Sequence, residues 1–234
     1  MANTLFLRLE GPLQSWGERA RWDVRDTAPE PTKSGIVGLL ACALGLSADE
    51  DLRTLSQSIR VGVRCDRPGA LLTDYHTIIG GVMGGDGKIK PGTVISRRAY
   101  LCDASFLVAI QATPETIGRL AQAIQAPTWA IYLGRKSCPP ACPPFEGVGD
   151  YPTLEAALAD WPWYQWNVES GTTQVRAVLE SQKSTGARRR DEIISRSRRT
   201  YNPRYTYDVP VTVQIRPKDL PGLNSGGAPC TSPA

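Results

Sequence analysis

Residues 31–45 read PTKSGIVGLLACALG, and their spacing frames the rest of the chain. Apolar residues recur at Ile36, Leu39, Leu40, Ala43 and Leu44, the period of one buried helix face. A second stripe, Gly35, Gly38, Cys42 and Gly45, holds only small residues. An interior glycine costs a helix roughly 1 kcal/mol relative to alanine. The stripe therefore predicts close approach of another backbone or of a ligand. Pro31 with Thr32 and Ser34 supplies start signals, and Gly45 a stop. The first turn, Thr32, Lys33 and Ser34, offers free backbone N–H groups of the kind that bind phosphate. An ordinary capped core helix accounts for the same residues, and the spacing leaves both readings open. A nucleotide-hydrolysing P-loop is excluded, because glycine must directly precede the lysine and Thr32 stands there.

Outward from this helix, Thr4–Glu10 alternates as a half-buried strand, with Leu5, Leu7 and Leu9 on one face. The loop GPLQSWGERARWDVRD (11–26) then displays Gln14, Trp16, Arg19, Arg21, Trp22 and Arg25. A second strand is expected at Ile59–Arg64. The β-prone arms 71–79 and 93–101 flank GGVMGGDGKIKPG (80–92) and predict a long hairpin with a polar tip. Ser105–Gln111 reads as a third strand and Thr113–Ile124 as a second helix, with Pro114 at its first position. Thr128–Leu133 is expected as the fourth strand. Without the hairpin the order is β-α-β-β-α-β, the split arrangement of ferredoxin-like and RNA-recognition folds. The aromatic RNP motif of the latter is missing.

After that expected strand, LGRKSCPPACPPFEG (133–147) places Arg135, Lys136 and Ser137 at a strand exit, as a rigid turn or a second group of phosphate donors. A short helix is expected near Thr153–Trp161. DWPWYQW (160–166) reads as a packed lid or partner surface, or a base-binding face. Strands are expected at Thr173–Glu180 and Asp208–Ile215, and a disordered tail beyond Pro217. The fold class is thus α+β: a ferredoxin-like core (1–135) with hairpin 71–101, a smaller β-rich lobe (136–216), and the tail 217–234.

The net charge of +4 is unevenly placed. Seven arginines, 188, 189, 190, 196, 198, 199 and 204, share residues 188–204 with only Asp191 and Glu192, so the remainder is slightly acidic. Tyr201 and Tyr205 lie in or beside that segment. Arginine with aromatic residues suits a nucleic-acid backbone and its bases, though a solvated loop or an acidic protein partner fits as well. The opening MANTLFLRLEG lacks the marks of a secretion signal, and the longest apolar run is too short to span a bilayer. Six dispersed cysteines fit a reducing cytoplasm. With His76 the single histidine and Cys138/Cys142 an isolated pair, neither a metal nor a cofactor is expected.

LQSWG, PTKSGIVGLLACALG, VRCD, DYHTIIG, RRAYLCDASFLVAI and YLGRKSCPPACP, in this order from Leu13 to Cys142, resemble the CasD (Cas-five) family of type I-E CRISPR Cascade subunits. RRRDEI and SRRTYNPRYTY extend the likeness loosely to Tyr207. The resemblance implies a RAMP (RRM-like) core that caps the 5′ handle of the crRNA. It implies contacts to the CasC backbone and the large CasA subunit, with CasE linked only through the assembly and target DNA nearby. The hairpin is implied to be a thumb that kinks the guide. Gln14, Ser15 and Trp16 correspond to the loop that meets the handle. Thr32, Lys33 and Ser34 match the helix start, and Arg135, Lys136 and Ser137 the later turn. Arg189, Arg190, Arg198 and Arg199 extend the groove, and Arg25, His76, Arg97 and Arg98 complete the expected RNA-facing set. In such a protein phosphate contacts position the strand, and base pairing carries sequence discrimination. A metal-independent endoribonuclease, as in type I-C relatives, is the rival; cleavage needs a placed acid and base, and only His76 offers itself. No enzymatic activity is expected.

Overall fold

The computed structural model describes residues 1–18, 24–84, 86–166, 168–181 and 183–218, with Lys90 through its backbone alone. Thr4–Glu10 (β1) is followed by the two-residue strands Leu13–Gln14 (β2) and Val24–Arg25 (β3). Helices Lys33–Leu44 (α1) and Asp49–Ser58 (α2) precede Arg60–Arg67 (β4). Next come Ala70–Ile78 (β5), the tip ladder Val82–Met83 (β6) and Ile89–Lys90 (β7), and Val94–Cys102 (β8). Ser105–Gln111 (β9), Pro114–Gln125 (α3), Phe145–Gly149 (β10) and Leu154–Asp160 (α4) follow. Trp163–Gln165 (β11), Gly171–Glu180 (β12), Ala187–Ser195 (β13) and Thr200–Pro217 (β14) end the described chain.

The main sheet runs β10-β1-β9-β4-β12-β14-β11, with β13 paired to β14. Its first four strands are mutually antiparallel. In chain order they are the fourth, first, third and second strands of the split motif, which is the ferredoxin-like arrangement. Strands β12 and β14 continue this sheet through β4 rather than forming one of their own.

Both faces of the sheet are covered, so β1 is not half-buried. Leu5, Leu7 and Leu9 pack with Phe106, Val108 and Ile110 beneath α1 and α3. Phe6, Leu107 and Ala109 meet Leu154, Ala157 and Leu158 of α4 on the other side. Trp161, from the tryptophan-rich segment, stacks on Phe6 with ring centroids 4.0 Å apart. Arg8, on the same face as Phe6, is buried against Asp66 and Glu146.

The fourth strand lies at Phe145–Gly149, not at Thr128–Leu133, so the motif closes at Gly149 rather than at 135. The amides of Thr128 and Trp129 instead donate to the carbonyls of Ala43 and Cys42 (2.9 and 3.1 Å). They satisfy acceptors that the end of α1 leaves open. A second departure is that 187–217 forms a hairpin, with β14 extending 18 residues. Pro217 therefore belongs to the sheet, and Lys218 N–H donates to the Gln165 carbonyl at 2.7 Å; the rest of the expected tail, 219–234, lies outside the described residues, as do Arg19, Arg21 and Trp22. Among the described residues no helix is long and apolar enough to cross a membrane.

Candidate nucleic-acid interface

Thr32 caps α1, its Oγ1 accepting from Gly35 N–H at 3.2 Å. The helix start carries its own anion. Asp191 of β13 accepts the Lys33 backbone N–H at 2.8 Å and the Nε and Nη2 of Arg204 at 2.7 and 2.8 Å. This carboxylate takes the favourable end of the helix dipole, the place a phosphate was expected to fill. The Lys33 ammonium is buried and reaches Glu180 (3.0 Å) and Glu192 (3.4 Å). As a phosphate donor, Lys33 is therefore corrected to an internal tie between α1 and the strands β12 and β13.

Five other expected contact residues also turn inward. Gln14 is buried, its Nε2 donating to the carbonyls of Leu9 and Ala104 and its Oε1 accepting from Trp16 Nε1. Ser15 donates to the Ala99 carbonyl at 3.0 Å. The Trp16 ring lies against Gly35, where an added Cβ would sit 2.8 Å from it. Arg135 donates to the carbonyls of Arg25 and Asp26 and covers the Tyr100 ring at 4.6 Å, fastening the loop 24–26 to the base of the hairpin. Arg189 is tied to Glu18 at 2.8 Å and to Glu30.

Most of the remaining expected residues face outward. Arg25, Arg97, Lys136, Ser137, Arg190, Arg198 and Arg199 are exposed, while His76 and Arg98 are half-buried. Arg25 and Arg98 are neighbours, since β3 pairs in parallel with β8. His76 lies opposite Ser96 in the hairpin ladder.

The tip of the β13–β14 hairpin is held in a fixed place. Asp49, the first residue of α2, accepts from Ser195 Oγ (2.6 Å), Ser197 Oγ (2.6 Å), Arg196 N–H (3.0 Å) and Ser197 N–H (3.3 Å). These bonds, the serine hydroxyls foremost, pull the Asp49 pKa down to about 2. The clamp leaves the side chains of Arg196, Arg198 and Arg199 exposed.

Between this tip and α1 lies a cavity of about 780 Å³. Its walls include Ser34, Gly35, Gly38 and Cys42 of α1, the segment Trp129–Tyr132, and Ile193 and Tyr201; Lys136 and Arg196 also line it. Among its described lining residues none is acidic. The stripe of small residues thus faces open space over part of its length. Trp129, Tyr132, Tyr201 and Arg196 were not singled out as site residues from the sequence. The aromatic interleaving of the arginine segment was a signal for Tyr201 and Arg196. Trp129 and Tyr132 were hidden inside the expected strand.

A ferredoxin-like sheet extended by a long hairpin and a clamped arginine tip places the chain among ferredoxin-like α+β proteins by architecture. Residues 4–210 match the family described as CRISPR-associated protein (Cas_Cas5). CRISPR system Cascade subunit CasD of Escherichia coli (strain K12) is 38% identical over 174 residues, covering 69% of this chain and 78% of that protein. A chain of a CRISPR RNA-guided surveillance complex superposes with TM-score 0.74 at 31% identity, covering 91% of this chain and 92% of its own. A solved Cas protein gives 0.68 at 36% identity over 89% and 94% of the two chains. The chain belongs to the Cas5 family of CRISPR-associated proteins, and the resemblance seen in its motifs is borne out.

Proposed function

We propose that this chain is the Cascade subunit that binds the crRNA 5′ handle and caps that end of the particle without cutting the RNA. The observation that carries the reading is its 38% identity to the Cascade subunit CasD. The exposed cations beside the α1 cavity supply the chemistry, since arginine and lysine on one face neutralise phosphates. In this reading the hairpin 71–101 is the thumb that kinks the guide, and CasC and CasA are the direct neighbours. CasE is reached through the assembly, and target DNA passes nearby. Phosphate contacts come from Lys136, Arg190, Arg196, Arg198 and Arg199, with Arg25 and Arg97 along the hairpin.

The test is anisotropy of a labelled RNA carrying the repeat of the accompanying CRISPR array, titrated with the full chain over a range of salt. For single strands log K falls by about 0.7 per phosphate neutralised for each decade of salt, so roughly six neutralised phosphates give a slope near −4. A flat response would favour a pure assembly protein. The same RNA is expected to remain intact on incubation. Specific products that vanish in His76→Ala would instead establish the endoribonuclease.

A further inference from the structure

We infer that the cavity along α1 is a nucleobase pocket, taking one base of the bound RNA turned out of its strand while Lys136 and Arg196 hold neighbouring phosphates. The inference rests on the RNA-binding reading above and adds to it a place and a mode.

Two glycines of one helix carry the argument. At Gly35 an added Cβ would lie 2.8 Å from the Trp16 ring, so packing explains that glycine. At Gly38 an added Cβ would meet nothing within 4 Å, and its φ is not in the left-handed range. Neither packing nor backbone conformation requires glycine there, although alanine makes the better helix. What glycine provides at 38 is room, and the room is the cavity. Its volume, about 780 Å³, falls within the range of small-molecule pockets. Tyr132 and Tyr201 line it with aromatic rings, as does Trp129, 45% exposed in the free chain. Unstacked RNA bases are held on such faces. Ser34 Oγ and the Tyr132 hydroxyl belong to lining residues and provide polar groups within a mostly carbon wall. The charge at the opening fits a polyanion that threads past: Lys136 and Arg196, with no acid among the described lining residues.

The experiment uses the full chain, its Gly38→Ala and Gly38→Leu variants, and a set of repeat RNAs each with one abasic nucleotide. Both variants are expected to melt no lower than the parent, since each removes a helix glycine. Gly38→Leu fills the space and is expected to weaken binding of the intact RNA roughly tenfold, the worth of one stacked base. One abasic position is expected to cost the parent a similar factor, and to cost Gly38→Leu nothing further. Should Gly38→Leu not fold, the abasic series on the parent decides alone. If the parent binds every abasic RNA as it binds the intact one, the pocket holds no base, while the RNA reading stands. An absence of binding to any of these RNAs would overturn the RNA reading as well. Protection of Trp129 by a partner subunit, with no abasic effect, would assign the cavity to a protein neighbour and overturn the inference.

Discussion

Lys33 is the residue whose surroundings change its meaning most. Its side chain is 2% exposed and those of its two glutamate partners 15% and 22%. Removing one member of such a pair leaves charge in a poorly hydrated place. Lys33→Ala is therefore expected to lower stability by about 2–4 kcal/mol, somewhat under the cost in a fully buried pair because the glutamates keep some water. Urea unfolding measures it. A variant as stable as the parent but weaker for RNA would restore the phosphate role. Gly134 makes a similar point through the backbone. Its φ is +85°, and a Cβ there would lie 1.8 Å from the Ser15 carbonyl, so the glycine lets the 133–138 turn lie against the loop after β1.

Among the elements, the tip of the β13–β14 hairpin is tied down by one side chain. Asp49 has a folded-state pKa of about 2 against an ordinary 3.8. A depressed carboxyl stabilises the fold above its unfolded pKa, and that contribution disappears as pH falls through the folded value. The clamp is therefore expected to be complete above about pH 4 and to release as pH approaches 2. The amide resonances of Arg196 and Ser197 follow it, and Asp49→Asn is expected to abolish the transition. A midpoint near 4 would mean that the clamp does not form in solution.

The helices α1 and α3 and the strands β1, β4 and β9 were legible because each carries its own period of apolar residues. Strand β10 was not. Its sequence, FEGVG, has two glycines, and each lies under an aromatic ring: Trp161 over Gly147 and Tyr151 over Gly149. That strand forms because side chains from later in the chain cover it, which no local pattern records. The β-prone run 128–133 failed for the complementary reason, its amides being drawn to the end of a helix more than 80 residues upstream. At the site, residue type was readable but direction was not. Lys33, Gln14 and Arg189 looked like ligands for RNA, and their partners, Glu180, the Leu9 carbonyl and Glu30, are distant in sequence or belong to the backbone.

Over the whole molecule the basic excess is sorted into two populations. Arg189 and Arg204 are paired internally, whereas Arg188, Arg190, Arg196, Arg198 and Arg199 are exposed. Replacing Arg196, Arg198 and Arg199 together by alanine is expected to make the RNA salt slope shallower by about 2, at about 0.7 for each phosphate left without its arginine. An unchanged slope would move that tip to a protein neighbour.

The pairing of β4 with β12 joins the two halves of the sheet through Cys65↔Arg176 to Gly62↔Leu179. During synthesis, β4 leaves the ribosome long before its partner exists. Until Glu180 has emerged, the Gly62–Cys65 rim presents open amides and carbonyls, a surface prone to recruit other chains. Closure of the sheet thus waits for β12, and a premature stop after β10 would release a half-sheet with a sticky margin.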